Sequence, residues 1–361
     1  MSTTRILVSF SLTVATAAGL VLAAPASGLA LELCAKADKH NPTQPREKSK
    51  ITLRFACTPG KEVSIGTTGN LAAIASNASD ITTLAAFSLP CASQVGNDVI
   101  FNGCNVHVRS GSGNTSAAVN GLGNLIVGYD ETGQDDDKTG SHNLVVGPYH
   151  SYSSYGGLVA GFGNTASGTY AAVSGGVGNT AGGDSSSVSG GYYNTASGAY
   201  AAVSGGVGNK ASAIYSSVSG GSINTAGGSS SSVSGGLANT ATGDYSSVSG
   251  GAANAASGNY SSVSGGQSND AVGYDSSVSG GSSNTATGTG SSVSGGSSNT
   301  ATGTASSVSG GYSNDAVGYD SSVSGGKNNT AGGPRSSVSG GASRTAAGTH
   351  NWVAGVLFQN Y

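Results

Sequence analysis

Charge is the first thing this sequence is short of. Only 9% of its 361 residues are Asp, Glu, Lys or Arg, and the formal net charge is -3. Ordinary soluble domains carry roughly a quarter charged residues. No basic patch appears, so nucleic acid is not an expected partner. Large side chains are scarce as well, with one Met, one Trp and 6% aromatics, so any interior must be thin. Residues that carry chemistry are equally sparse. The five His (His40, His107, His142, His150, His350) are scattered, and neither a HExxH pattern nor a serine nucleophile elbow occurs. From Asn164 onward there are six Asp and no Glu, which leaves no matched carboxylates facing one groove. No catalysis and no cofactor are expected. Beyond residue 24 no apolar run is long enough to span a membrane as a helix.

The front of the chain has its own character. Arg5 gives a short positive end, Ile6 to Ala24 is apolar, and Ala24-Pro25-Ala26 fits a small-x-small cleavage site. Residues 1–26 therefore read as a secretory signal peptide and the mature protein as secreted or cell-surface; a single membrane anchor is the alternative. Cys34, Cys57, Cys91 and Cys104 are all near the front. An even count behind a signal peptide reads as two disulfides. Neighbour pairing, Cys34–Cys57 and Cys91–Cys104, closes the shortest loops. Residues 27–68 read as a polar segment with one strand, Ile51 to Cys57. Residues 69–96 read as a short helix or coiled coil, from the spacing of Leu71, Ile74, Ile81 and Leu84 with Asn77 in the seam. Residues 97–125 read as a β cap region.

What the sequence has in abundance is glycine, 62 residues of it, in strict period. Val173 and every fifteenth residue to Val338 open a VSGG phrase, and Val353 keeps the phase. Asn164 and every fifteenth residue to Asn329 form a second column, with Arg344 at the next place and an Ala two positions after each. Earlier, Ile126, Val145, Val159 and Val173 align with gaps of 19, 14 and 14, the long gap holding the polar insert ETGQDDDKTG. A fixed period marks a structural repeat, not disorder. Fifteen residues are too few for a helix pair but suffice for one turn of a β-solenoid. The expected fold is all-β: a parallel β-solenoid of 14–15-residue coils over residues 126–361. Stacked coils put identical residues in ladders. Val and Ala fill the interior, and Asn side chains bond amide to amide up the stack. Sixteen coils make a rod roughly 75 Å long. One Val and one Ala per coil bury little apolar area, so several chains side by side are expected. Leu125-Ile126-Val127, Leu144-Val145-Val146 and Trp352-Val353-Ala354 are apolar at consecutive positions, so a partner chain or cap is expected over their outer faces.

Three surface features invite a ligand. Tyr170, Tyr200, Tyr215, Tyr245 and Tyr260 sit three before their Val; on a strand that is the opposite face, a contact for sugars or proteins or else a packing surface between copies. Asp130, Glu131, Asp135, Asp136 and Asp137 form an acidic cluster without the ordered spacing of a calcium loop, so a solvated loop is preferred and no metal site is assigned. Thr follows the column Asn in nine of thirteen coils, interrupted among others by Lys210, Asp270 and Asp315.

The repeat SSVSGGxxNTAxG resembles the head repeats of YadA-like trimeric autotransporter adhesins, whose pattern is S-x-A-I-G-x-x-A-x-A-x-G. The resemblance covers about residues 120–361. It implies a left-handed parallel β-roll, a homotrimer, and a surface that binds host, matrix or glycan ligands. This repeat is 15 residues with a doubled Gly where the family's is nearer 14. The sequence after Val353 reads as neither a stalk nor barrel strands, so no transmembrane anchor is expected in the mature chain. The expected function is an adhesin-like structural or binding module. Two alternatives stand beside it: ice binding through the Thr ladder, and a fibre-type glycan-active enzyme.

Overall fold

The computed structural model describes residues 32–36, 52–54, 62–66 and 91–354. The residues up to Val106 and those from His107 onward belong to two compact units. In the first, β1 (Glu32–Lys36) lies between β2 (Thr52–Arg54) and β3 (Glu62–Gly66), antiparallel to both. The Cys34–Cys57 pairing and most of the stretch read as helix or coiled coil lie outside the described residues. The end of that stretch is corrected: Ala92–Val95 is strand β4, paired antiparallel with β5 (Asp98–Phe101). Gly96, with φ 60°, leads the two-residue turn, where hairpins of this length favour glycine. The Cys91–Cys104 disulfide joins the two ends of the hairpin across a Cα–Cα distance of 5.8 Å.

The second unit is a parallel β-solenoid, and no helix occurs among the described residues. Successive coils stack in strict register. Val278 pairs with Val263 below and Val293 above, and Ala286 with Ala271 and Ala301. The valine strands form a sixteen-stranded sheet from Leu125–Val127 to Trp352–Val353. The Thr-Ala strands form a fourteen-stranded sheet from Ser151–Tyr152 to Thr345–Ala346. A third side is joined by single bridges from Phe162, which follows Ala160-Gly161, through the residues after each Gly-Gly to Ala342. The irregular gaps are absorbed as expected: Ile126 pairs with Val145, and Val145 with Val159.

Side-chain alternation follows the strand period of two. Val278 and Ala286 point inward, 1% and 0% exposed, and most of the core is this pair of columns repeated. A third inward column, two before each Val, holds Ser276 and its equivalents, or Ala at Ala171 and Ala201. Such small side chains let the walls of the coil approach closely.

Three left-handed residues per coil turn the corners: Gly281 (φ 86°), Ser283 (φ 58°) and Gly290 (φ 62°). The last two reverse the direction of bonding. Ser277, Ser279, Ser282, Thr285 and Thr287 donate their N–H groups up to the next coil. Ser283 and Gly290 instead donate down, to Gln267 O and Tyr274 O. The left-handed conformation flips the peptide and lets one coil bond in both directions. It costs a non-glycine residue on the order of 1–2 kcal/mol, yet serine, tyrosine and aspartate occupy it repeatedly. Backbone pairing gained at each corner offsets that cost.

The Asn column is fully buried. Asn284 N–H donates to Asn269 Oδ1 at 3.0 Å, and Asn284 Nδ2 donates to Gly280 O in its own coil (2.9 Å) and Gly296 O in the next (3.0 Å). The expected amide-to-amide ladder is therefore corrected. The side-chain carbonyl binds the backbone of the next coil, and direct amide pairs occur only as extra contacts, as from Asn254 Nδ2 to Asn239 Oδ1. The chain of bonds runs from Asn164 to the Arg344 N–H. Its first acceptor is His150 Nδ1, which takes the Asn164 N–H at 3.1 Å while Nε2 bonds Val146 O at 3.0 Å. His150 thus stands in for asparagine, acceptor and donor alike, and fixes its own tautomer.

Two predictions follow from these contacts. A Cβ on Gly281 would collide with Gly296 O and Asn284 Nδ2, whereas one on Gly280 meets nothing within 4 Å. Gly281→Ala should lower stability by about 2 kcal/mol or more, and Gly280→Ala should leave the denaturant midpoint near wild type. At the start of the ladder, His150→Asn should preserve hydrogen-exchange protection of the Asn164 amide, and His150→Leu should lose about tenfold or more of it, for a lost bond worth about 1–3 kcal/mol.

Candidate functional surfaces

With the interior this uniform, variety is confined to the outside. The corner three before each Val carries Tyr170, Tyr200, Tyr215, Tyr245 and Tyr260, all about half exposed and all left-handed, with φ between 57° and 60°. The reading of these residues as lying on a strand face is corrected: they stand on the corner between the two main sheets, where strand alternation no longer applies. Tyr200 and Tyr215 stack with centroids 5.0 Å apart, and Tyr245 and Tyr260 at 4.9 Å. Both distances match the rung spacing of a sheet. Tyr155 packs edge-on against Tyr170 at 5.4 Å, and Tyr274 edge-on against Tyr260 at 5.4 Å. Tyr155 and Tyr274 belong to the same edge but sit four before their Val, one place out of column. Tyr274 lies in the phrase NDAVGYD, Asn269 to Asp275, which recurs at Asn314 to Asp320.

The same edge bears acceptors. Asp184 Oδ1 accepts the Thr169 N–H at 3.0 Å, and Asp244 Oδ1 accepts the Ser229 N–H at 2.9 Å. Both Asp are exposed. One carboxylate oxygen of each is thus tied to the coil below.

The Thr-Ala sheet turns a second polar surface outward. Thr285 and Thr287 flank the inward Ala286, and Thr240/Thr242 and Thr300/Thr302 repeat the arrangement. Lys210, Ala255, Asp270 and Asp315 break the main column, whose longest unbroken stretch is three coils, Thr165 to Thr195. This surface is a set of short hydroxyl patches.

The acidic insert is folded onto itself. Lys138 Nζ pairs with Asp130 Oδ1 at 2.8 Å and also reaches the Asp130 and Glu131 carbonyls. The buried Tyr152 hydroxyl donates to Asp130 Oδ2 at 2.8 Å. Burial first, and then Asp130, hold the Tyr152 hydroxyl far above the usual phenol range. Asp136 Oδ2 accepts the Gly133 N–H, and Asp137 Oδ1 accepts from Thr139 side chain and backbone, which lowers the Asp137 carboxyl. Asp130, Asp136 and Asp137 serve the loop itself, while Glu131, Asp135 and Asp137 are exposed.

On the third side, Phe162, Val177, Tyr192 and Val207, and then Leu237 beyond Ser222, occupy the bridge column, the apolar ones 38–52% exposed. Tyr193 and Ile223, exposed, lie beside them. The C-terminal half of this column is mostly polar (Gln267, Ser282, Ser297, Lys327), with Tyr312 among them. No sequence period marks the apolar half, because the position varies freely from coil to coil. At the N-terminal end, Leu125, Ile126 and Val127 are all exposed.

The fold defines a β-solenoid protein whose side chains of interest lie in columns along its outside. No protein-family model matches the chain, and no curated protein matches its sequence.

One column position yields a pH prediction. Burial raises the Asp270 carboxyl above its ordinary value, and Asp270 Oδ1 has no hydrogen-bond partner. The folded chain therefore holds this proton to a higher pH than the unfolded one. Its contribution favours the folded state at low pH and is lost as pH rises through the carboxylate range. Asp270→Thr, the majority residue there, should raise the melting midpoint at pH 7 and have little effect at pH 3. Asp315→Thr, at an exposed rung of the same register, should have the smaller effect at pH 7.

Proposed function

We propose that this chain is a secreted, adhesin-like binding rod that works as a homo-oligomer of three copies lying side by side, with no catalysis of its own. The observation that carries this reading is the division of the solenoid's surface. The third side has a straight apolar column over four consecutive rungs, Phe162 to Val207, about 14 Å long, resumed at Leu237 beyond Ser222. The other sides present Ser, Thr and Tyr columns. Contiguous exposed apolar surface marks an interaction site, and a straight column is complementary to the same column on a neighbouring rod. Closed rings of identical chains are the ordinary way to bury such a surface without open-ended growth. The polar columns then remain outward, repeated at each rung, for a host, matrix or glycan surface. Many identical weak contacts on a rigid rod give avidity that no single contact has. The resemblance to YadA-like heads supports the number three, and the apolar leader-like start supports secretion.

Sedimentation equilibrium of the mature chain tests the assembly. A mass of three chains is expected at micromolar concentration. Val207→Asp combined with Leu237→Asp should give a folded monomer, with the β circular dichroism of the parent. A wild-type monomer, or a trimer indifferent to both substitutions, would overturn this arrangement.

A further inference from the structure

The tyrosine edge is interrupted at regular intervals. Reading up the corner column gives Tyr170, Ser185, Tyr200, Tyr215, Ser230, Tyr245, Tyr260 and Asp275. Over this stretch tyrosine is missing at every third rung; above it Gly290, Ala305, Asp320, Arg335 and His350 follow with none. Tyr200 stacks on Tyr215, and Tyr245 on Tyr260, at interplanar angles of 12° and 7°. Each stacked ring uses one face on its partner. The other face of Tyr200 is directed to the Ser185 rung, and the other faces of Tyr215 and Tyr245 to the Ser230 rung. Tyrosines on either side of a serine are two rungs apart, about 10 Å. Ser230 therefore leaves room for one six-membered ring between two aromatic faces, and Ser185 leaves room between the Tyr200 face and the Tyr170 ring, which packs edge-on against Tyr155.

The third interruption is different. At Asp275 the preceding residue is Tyr274, which packs edge-on against Tyr260 at 5.4 Å and fills the place. At Ser185 and Ser230 the preceding residues are Asp184 and Ser229, which leave the place open. Each open slot also has a carboxylate beside it. Asp184 belongs to the Ser185 rung and Asp244 to the rung above Ser230, and each has one oxygen committed to a backbone N–H. The second oxygen is free to accept.

We propose that the slots at Ser185 and Ser230 bind two sugar rings of one uncharged polysaccharide chain laid along this corner. The proposal rests on the binding-rod reading and names the ligand class for it. A pyranose offers a C–H face to each tyrosine wall and hydroxyl donors to the carboxylate at the slot mouth, which a flat aromatic side chain does not. The carboxylates disfavour an anionic glycan. The slots lie three rungs apart, about 14 Å, so a single oligosaccharide spans both and gains from holding the two together.

The test is calorimetric titration of the full mature chain with cellohexaose, laminarihexaose and chitohexaose as probes. At least one should bind. Tyr200→Ala with Tyr245→Ala should weaken that binding by about tenfold or more, the loss of roughly 1.4 kcal/mol of stacking. The decisive variant fills the slots: Ser185→Tyr with Ser230→Tyr. Tyrosine already occupies this left-handed corner at five rungs, so the fold should accept it and circular dichroism should be unchanged. Binding should be abolished. No binding of any of the three probes, or unweakened binding by the filled variant, would overturn the slots. Sedimentation separates this from the oligomer: a filled variant that keeps both its trimer mass and its glycan overturns the slots and leaves the bundle standing. A monomeric wild type that binds glycan, and loses it on filling, does the reverse.

Discussion

The structure depends on one hydrogen bond repeated along the stack, from the backbone N–H of each column asparagine to the side-chain carbonyl of the asparagine one coil earlier. A corner is where a solenoid's backbone is hardest to satisfy, because the chain turns away from both sheets. Buried there, an unpaired N–H costs on the order of 1–3 kcal/mol. Asparagine solves this with a side chain shaped like a peptide. Its oxygen serves the coil above, and its nitrogen serves glycine carbonyls in two coils at once. The requirement spreads from there. Gly281 has no room for a Cβ because Asn284 Nδ2 and Gly296 O occupy that space, so the second glycine of each VSGG is fixed by the asparagine three residues later. The two ends of the column show the same constraint differently met. His150 supplies an acceptor and a donor from one ring, whereas Arg344 supplies only its backbone N–H to Asn329 Oδ1. Among the described residues no coil above Arg344 bonds through that column.

Most of the fold was legible because the period is strict and its inward residues are few. Val and Asn columns, the 19-14-14 spacing of the first coils and the parallel register all follow from fifteen-residue recurrence and the alternation of strand side chains. Other features were not legible, each for a physical reason. The role of His150 is invisible in a column defined by asparagine, since a histidine at a 14-residue gap matches neither period nor residue type. The direction of the asparagine bond depends on how the peptide is tilted at the corner. The tyrosines were placed on a strand face because alternation was extended one residue too far, into a left-handed position. The hairpin at 92–101 was missed in part because Ala92–Val95 lies at the end of a stretch whose heptad spacing dominated the reading.

The low charge and high serine content also follow from the architecture. Neighbours in a column are one rung apart, about 4.8 Å, so like charges in one column repel at every step. Asp270 and Asp315 are tolerated because three rungs separate them. Serine and threonine can repeat without limit, and glycine repeats wherever the next coil's carbonyl lies against it. A chain built from ladders is thus driven toward neutral side chains.

That same logic locates where a solenoid of this kind can acquire a function. A change at an inward column is felt by the coils on both sides, so those columns keep one or two residue types. Corner positions answer to neither sheet packing nor the core. Their left-handed conformation is imposed by backbone bonding, and Tyr, Ser, Asp, Gly, Ala, Arg and His all adopt it at the same register. Freedom of side chain combined with a rigid, regularly spaced backbone is the setting in which spacing itself can encode recognition. A tyrosine ladder without gaps would present only ring edges to solvent, since each face would lie on its neighbour. Omitting every third ring exposes two faces toward each other at a separation set by the rungs. The interruption, not the tyrosine, is then the informative residue at this corner. Between Tyr170 and Asp275, where the valine, alanine and asparagine columns run unbroken, a three-coil pattern superimposed on a one-coil repeat has no use in the folding of the rod.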